Sequence, residues 1–208
     1  ASAFAQGPEI DKLVCEGMRA SQTPGVTLAI VRDGKIDVRA YGLADVENRV
    51  SAKPESVFEI GSVTKQFTAA SILLLKQDGK LKLTDPIRKY LPELPASDAR
   101  ITIDNLLTHT SGLVDYEDLV PPAQTTQIDD NDVLRMLSAA PESYFAPGTA
   151  YRYSNSGYVL LGLVVEQASG ESLPAFLQRR IFRPLHMDHT LLYVRGGPEV
   201  EHRAYGYS

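Results

Sequence analysis

The chain has 208 residues, 43% of them hydrophobic and 23% charged, with a formal net charge of −5. Such a composition supplies one good core or two small ones, and the acidic balance, with no basic run, argues against nucleic acid as a partner. No apolar run approaches the roughly 18–20 residues that span a bilayer, and the single cysteine, Cys15, excludes an intrachain disulfide.

Ala1 to Gln6 reads as the end of an export leader, because Ala3-Phe4-Ala5 fits a small-residue cleavage site. A disordered tail fits the same letters. The expectation is an exported protein, periplasmic or in the cell envelope, of bacterial type.

Glu9 to Ala20 then carries Ile10, Leu13, Val14 and Met18 at helical spacing, and Pro24-Gly25 ends that pattern. Val26 to Val31 is apolar at nearly every position, which predicts a strand buried on both faces. Asp33-Gly34 is a hairpin turn signal, and Ile36 to Leu43 returns as a second strand. A two-stranded hairpin is marginal alone, so the first strand wants another neighbour. Leu191 to Val194 is the best remaining strand candidate, and it is short.

Gly61 closes an extended approach, and a helix is predicted to start near Ser62, with Phe67, Ala70, Ser71 and Leu74 along one side and Gly79 as its stop. Ser62 and Lys65 are three residues apart and so share a helix face. A hydroxyl beside an amine becomes a nucleophile when the amine is partly neutral, and a helix N-terminus favours negative charge next to it. An N-cap serine followed by a solvated lysine explains the same spacing.

Further along, Thr84-Asp85-Pro86 opens a short helix through Tyr90, and Thr102 can cap one over residues 103–108. Residues 115–127 include Pro121-Pro122 and read as a loop. Asp129 or Asp130 can cap a helix through Ala139. After the Pro147-Gly148 turn, Tyr151 to Gly157 leads into an apolar helix, residues 158–168, stopped by Gly170. Ser172 is expected to cap a last helix running to Phe182. Within the 151–157 stretch, Tyr153 and Asn155 point the same way if the backbone is extended. A phenol near an ammonium can relay a proton, and an amide can hold a carbonyl and an amine together. The competing reading puts Tyr153 in a core and Asn155 at a helix cap.

Read together, Ser62-x-x-Lys65 and Tyr153-x-Asn155 resemble the serine β-lactamase and penicillin-binding-protein superfamily, and most of all its class C β-lactamase, D-Ala-D-Ala carboxypeptidase and related esterase branch. Phe58-Glu59-Ile60-Gly61-Ser62 is similar to that family's lead-in to the nucleophile. Leu106 to Leu113, Pro147 to Asn155 and Gly157 to Gly162 are similar to its later stretches, in the family's order. Pro184-Leu185-His186-Met187 resembles a Pro-Leu-Gly-Met stretch with His186 in place of glycine.

The resemblance implies an α+β fold of the β-lactamase/transpeptidase type: an antiparallel sheet flanked by helices, plus a mostly helical domain. The implied division is 1–60 for the N-terminal helix and hairpin, 61–190 for the helical part with both boxes, and 191–208 for the approach to C-terminal strands. It implies Ser62 as the acylated nucleophile, Lys65 as its activator, Tyr153 as base or relay, and Asn155 as a substrate-binding residue that also positions Lys65. The backbone N–H of Ser62 would form half of an oxyanion hole. His109 tempts as a base, but its matched stretch is structural in the family.

The resemblance implies no cofactor. His186 and His189 lie close together without a third ligand, so no metal is expected. The family's third box, Lys or His, then Thr, Ser or another residue, then Gly, is absent, as is any Trp. The C-terminal strands are therefore expected to be absent from this chain and the sheet to be incomplete, completed by a following segment or a second chain. The implied activity is that of a serine acyl hydrolase acting on a β-lactam, a D-Ala-D-Ala-type peptide or a small ester. The alternative is a penicillin-recognising domain with a binding or structural role and no turnover.

Overall fold

A computed structural model of the chain describes residues 7–121, 123, 124, 126–140 and 143–207. Pro122 and the Ala1–Gln6 leader expectation lie outside the described residues. The chain divides into two compact units, one formed by residues up to Gly61 together with those from Arg195 onward, the other by Ser62–Val194.

The first unit opens with helix α1 (Gly7–Ser21), then strands β1 (Gly25–Arg32), β2 (Lys35–Asp45) and the two-residue β3 (Val50–Ser51). The sheet is antiparallel, in the order β1-β2-β3. Arg32 pairs with Lys35, so Asp33 and Gly34 make a two-residue turn, with φ of 50° and 72°. Positive φ at both central positions matches the twist of the flanking strands, and Asp-Gly supplies it cheaply. Gly42 is required by space as well as by its φ of 72°, since a Cβ there would lie 2.0 Å from the Pro24 carbonyl oxygen. Helix α1 is tied to β2 through Arg39, whose Nη1 donates to Asp11 at 2.8 Å and to the Gly7 carbonyl at 2.9 Å. Arg203 bonds Glu59, and the Ala204 N–H donates to the Val57 carbonyl at 2.8 Å, which fastens the C-terminal segment to the approach to Ser62.

Two strand expectations are corrected. β1 is not buried on both faces: Val31 is 70% exposed, and Ala29 and Arg32 are exposed too. Among the described residues only β2 pairs with it, so there it lies at the sheet edge, and an apolar run does not by itself produce a covering layer. Leu191 to Val194 is not a strand. Leu192 packs on the core of the second unit while Leu191, Tyr193 and Val194 are exposed, and none of the four belongs to a strand or bridge.

The second unit holds α2 (Lys65–Gln77), α3 (Ile103–Leu107), α4 (Asp130–Ala139), α5 (Asn155–Ser169) and α6 (Leu173–Leu177), with short 3-10 turns between them. Its core gathers Ile72 and Leu75 from α2, Leu106 from α3, Leu137 from α4, Leu160, Leu161 and Val164 from α5, and Phe176 from α6. α5 is apolar nearly all round and is buried accordingly. The expected stops hold at Gly79 and Gly170, both in the left-handed region at 71° and 76°. Thr102 and Asp129 each close a capping box, with Asn105 and Asp132 respectively. Ser172 holds the N-cap position of α6 without a side-chain bond, and Glu166 accepts from the Leu173 N–H at 2.7 Å instead. The chain continues past α6 as a π-helical turn, Gln178–Phe182.

Candidate active site

All four residues singled out by the two motifs lie in the second unit. The predicted helix start needs one correction. Gly61–Thr64 is a 3-10 turn, and Lys65 is the first residue of α2. In 3-10 geometry residues three apart eclipse one another, so this turn stacks Lys65 over Ser62 more directly than an α-helix would. Lys65 Nζ donates to Ser62 Oγ at 3.0 Å. Ser62 is exposed and Lys65 half-buried, so the hydroxyl is open to a ligand while the amine is held.

The second pair comes from the segment leading into α5. Tyr153 precedes the N-cap Ser154 and is 45% exposed, which disposes of the core reading for its ring. Its hydroxyl donates to Ser62 Oγ at 2.7 Å. Asn155 begins α5, and its Oδ1 accepts from Lys65 Nζ at 2.7 Å. Lys65 Nζ also lies 4.8 Å from the centre of the Tyr153 ring, a cation–π distance. The neighbouring Lys65 ammonium, and next the Ser62 hydroxyl, hold the Tyr153 phenol below the ordinary tyrosine range. Ser62 Oγ is thus the common partner of an amine and a phenol, and the amine is anchored by a carboxamide.

Of the supports of this set, His109 alone is singled out in the sequence, within a stretch that the resemblance marks as structural. His109, at φ 57°, accepts the Ser154 N–H on Nδ1 at 3.2 Å, and its ring lies 4.6 Å from that of Tyr153 and 5.1 Å from that of Tyr158. Burial, and then the charge on Lys65, push its imidazole below the ordinary histidine range. A neutral ring is what Nδ1 needs to accept that bond, so the geometry gives His109 a bracing contact on the Tyr153 segment.

Asp115 is buried and accepts the Asn155 N–H on Oδ2 at 2.7 Å. Ser156 Oγ accepts the Tyr116 N–H at 2.7 Å, and Asn155 Nδ2 donates to Glu117 Oε1 at 3.0 Å. The 115–127 stretch, read as featureless loop, therefore contains a 3-10 turn, Tyr116–Asp118, that holds the start of α5. The one available signal was Asp115 itself, a residue type whose side chain accepts the N–H two residues on in an Asx-type turn.

A family model described as Beta-lactamase matches residues 10–208. Protein flp of Staphylococcus aureus (strain N315) is 34% identical over 207 residues, covering 96% of this chain and 41% of its own length. Penicillin-binding protein 4* of Bacillus subtilis (strain 168) is 35% identical over 191 residues, covering 89% of this chain and 42% of its own length. Among solved structures, the D-amino acid amidase from Ochrobactrum anthropi SV3 matches with a TM-score of 0.80 at 31% identity, over 92% of this chain and 54% of that one. The octameric penicillin-binding protein homologue from Pyrococcus abyssi matches with a TM-score of 0.75 at 29% identity, over 87% and 43%. The chain spans less than half the length of the curated relatives it matches.

Proposed function

This chain belongs to the Beta-lactamase family, within the serine β-lactamase and penicillin-binding-protein superfamily, and from that membership we propose that it carries the nucleophile and proton-relay residues of a serine acyl hydrolase. The observation that carries the reading is the convergence of Lys65 Nζ, at 3.0 Å, and the Tyr153 hydroxyl, at 2.7 Å, on Ser62 Oγ.

In this reading Tyr153 first loses its proton to solvent, a loss favoured by the Lys65 ammonium. Ser62 Oγ then attacks the substrate carbonyl carbon while its own proton passes to the Tyr153 oxygen. The oxyanion that forms is met by the Ser62 backbone N–H. Collapse breaks the bond to the leaving nitrogen or oxygen, which takes the proton from Tyr153 and departs, leaving an ester on Ser62. Water then attacks that ester and gives its proton to the Tyr153 phenolate, and the proton returns to Ser62 Oγ as the acid leaves. Asn155 keeps Lys65 in place and offers its amide to the substrate.

Amides and peptides of D-amino acids are the favoured substrates, with β-lactams and small esters as further acyl donors. What supports this choice is that a 31%-identical neighbour is a D-amino acid amidase and a 35%-identical relative is a penicillin-binding protein. The test uses the protein at its natural length, treated with a fluorescent penicillin and with a fluorophosphonate. Mass spectrometry should find a covalent adduct on Ser62, and Ser62→Ala should abolish it. If neither reagent labels Ser62, the protein is not a serine acyl hydrolase and the binding-only alternative stands.

A further inference from the structure

We propose that Glu117 is a substrate-binding residue that selects acyl donors carrying a cationic amine on the acyl side of the reacting carbonyl. This rests on the serine acyl hydrolase reading and names which substrates that site prefers.

Glu117 sits in the exposed 3-10 turn Tyr116–Asp118, and its backbone N–H is fixed by Asp115 Oδ1 at 3.3 Å. Its Oε1 accepts from Asn155 Nδ2 at 3.0 Å, while Oδ1 of the same amide accepts from Lys65 Nζ at 2.7 Å. A single carboxamide therefore separates the catalytic amine from an exposed carboxylate. The neighbouring acids are otherwise engaged. Asp115 is buried on the Asn155 N–H, and Asp118 is paired with Arg152 and with the Tyr144 hydroxyl. Among the described residues no Lys or Arg forms a salt bridge with Glu117.

An ordinary solvated glutamate would explain the exposure but not the bond to a residue of the reacting set. Holding the Asn155 amide needs only an oxygen acceptor, which glutamine supplies equally well. The negative charge is surplus to that task. At the edge of a site that binds an acyl group, it favours an ammonium and disfavours a carboxylate or a capped amine. Hydrogen bonds to charged partners carry enough free energy for a preference of about ten- to a hundredfold.

The experiment measures protection of Ser62 from fluorophosphonate labelling in wild-type protein and in Glu117→Gln. The competing ligands are D-phenylalanine amide and N-acetyl-D-phenylalanine amide, which differ in whether the α-amine is free. Wild-type protein should be protected at lower concentrations by the free amine, and Glu117→Gln should lower that preference about tenfold or more. An unchanged preference overturns the proposal, including the case in which both ligands weaken together, since that marks Glu117 as a brace for Asn155 alone. Equal protection by the two amides in the wild type, or protection by neither, overturns it as well. Those outcomes leave the parent reading standing as long as Ser62 is labelled, whereas failure of labelling removes both.

Discussion

In the proposed mechanism Tyr153 holds a proton and gives it up within one catalytic cycle, and its surroundings fit that demand. At rest its hydroxyl donates to Ser62 Oγ at 2.7 Å. The phenolate form is favoured by the Lys65 ammonium first and by the Ser62 hydroxyl second, so deprotonation occurs below the ordinary tyrosine pKa of about 10. In that mechanism Tyr153 acts as base only when deprotonated. Acylation of Ser62 should therefore rise with pH along a limb whose midpoint lies below that value, and fall as protons return. Tyr153→Phe keeps the ring that faces Lys65 and His109 but deletes the oxygen. It should cut the acylation rate by about 10²- to 10⁴-fold and erase the limb. Stopped-flow labelling across pH in both proteins is the measurement. A limb that survives in the phenylalanine variant would transfer the base role to Lys65.

At the scale of elements, the start of α5 is where chemistry and stability meet. Its first N–H groups have no partners within the helix. Here Asp115 takes the Asn155 N–H at 2.7 Å and Ser154 Oγ takes the Gly157 N–H at 3.2 Å. A buried carboxylate at a helix N-terminus also complements the helix dipole. Asp115→Ala should therefore destabilise the second unit by about 1–2 kcal/mol, read as a lower denaturation midpoint, and should slow acylation because Asn155 loses its backbone anchor. Stability unchanged within error would mean that water satisfies the N–H and the cap is dispensable.

The anchoring of α5 by the 115–117 turn was not legible in the sequence. Ser62, Lys65, Tyr153 and Asn155 stand out because each pair is local, three or two residues apart, and local spacing converts directly into a shared face. Asp115 and Glu117 act on a residue 40 and 38 positions away, and no periodicity marks such a contact. Helix caps at Thr102 and Asp129 were legible for the same local reason. β3 was missed because two residues carry no pattern, and β1 was over-read because burial depends on what covers a strand, not on its own letters. His186, in the place where the resembling stretch has glycine, takes φ 54°, so the substitution left the backbone turn in place.

At the scale of the whole molecule, apolar burial is unequal between the two units. The second contains Ile72, Leu160, Leu161 and Phe176 with essentially no exposure, drawn from α2, α5 and α6. In the first, α1 has no buried residue, and Ile36 at the start of β2 is 67% exposed. Protection of amides from exchange follows the free energy of the opening that exposes them, and segments with few buried apolar contacts open first. In the 208-residue chain, α2 and α5 should exchange slowest, by global unfolding. β1, β2 and α1 should exchange about tenfold faster or more, a difference of about 1.4 kcal/mol or greater. Hydrogen exchange read by mass spectrometry at peptide resolution decides it, and equal protection in the β1–β2 hairpin and α5 would show that the hairpin shares the cooperative unit of the helices. The unequal case has a consequence for the site. Ser62, Lys65, Tyr153 and Asn155 all belong to the better-buried unit, so opening of the hairpin would leave their mutual hydrogen bonds, and fluorophosphonate labelling of Ser62 under mild denaturant, in place.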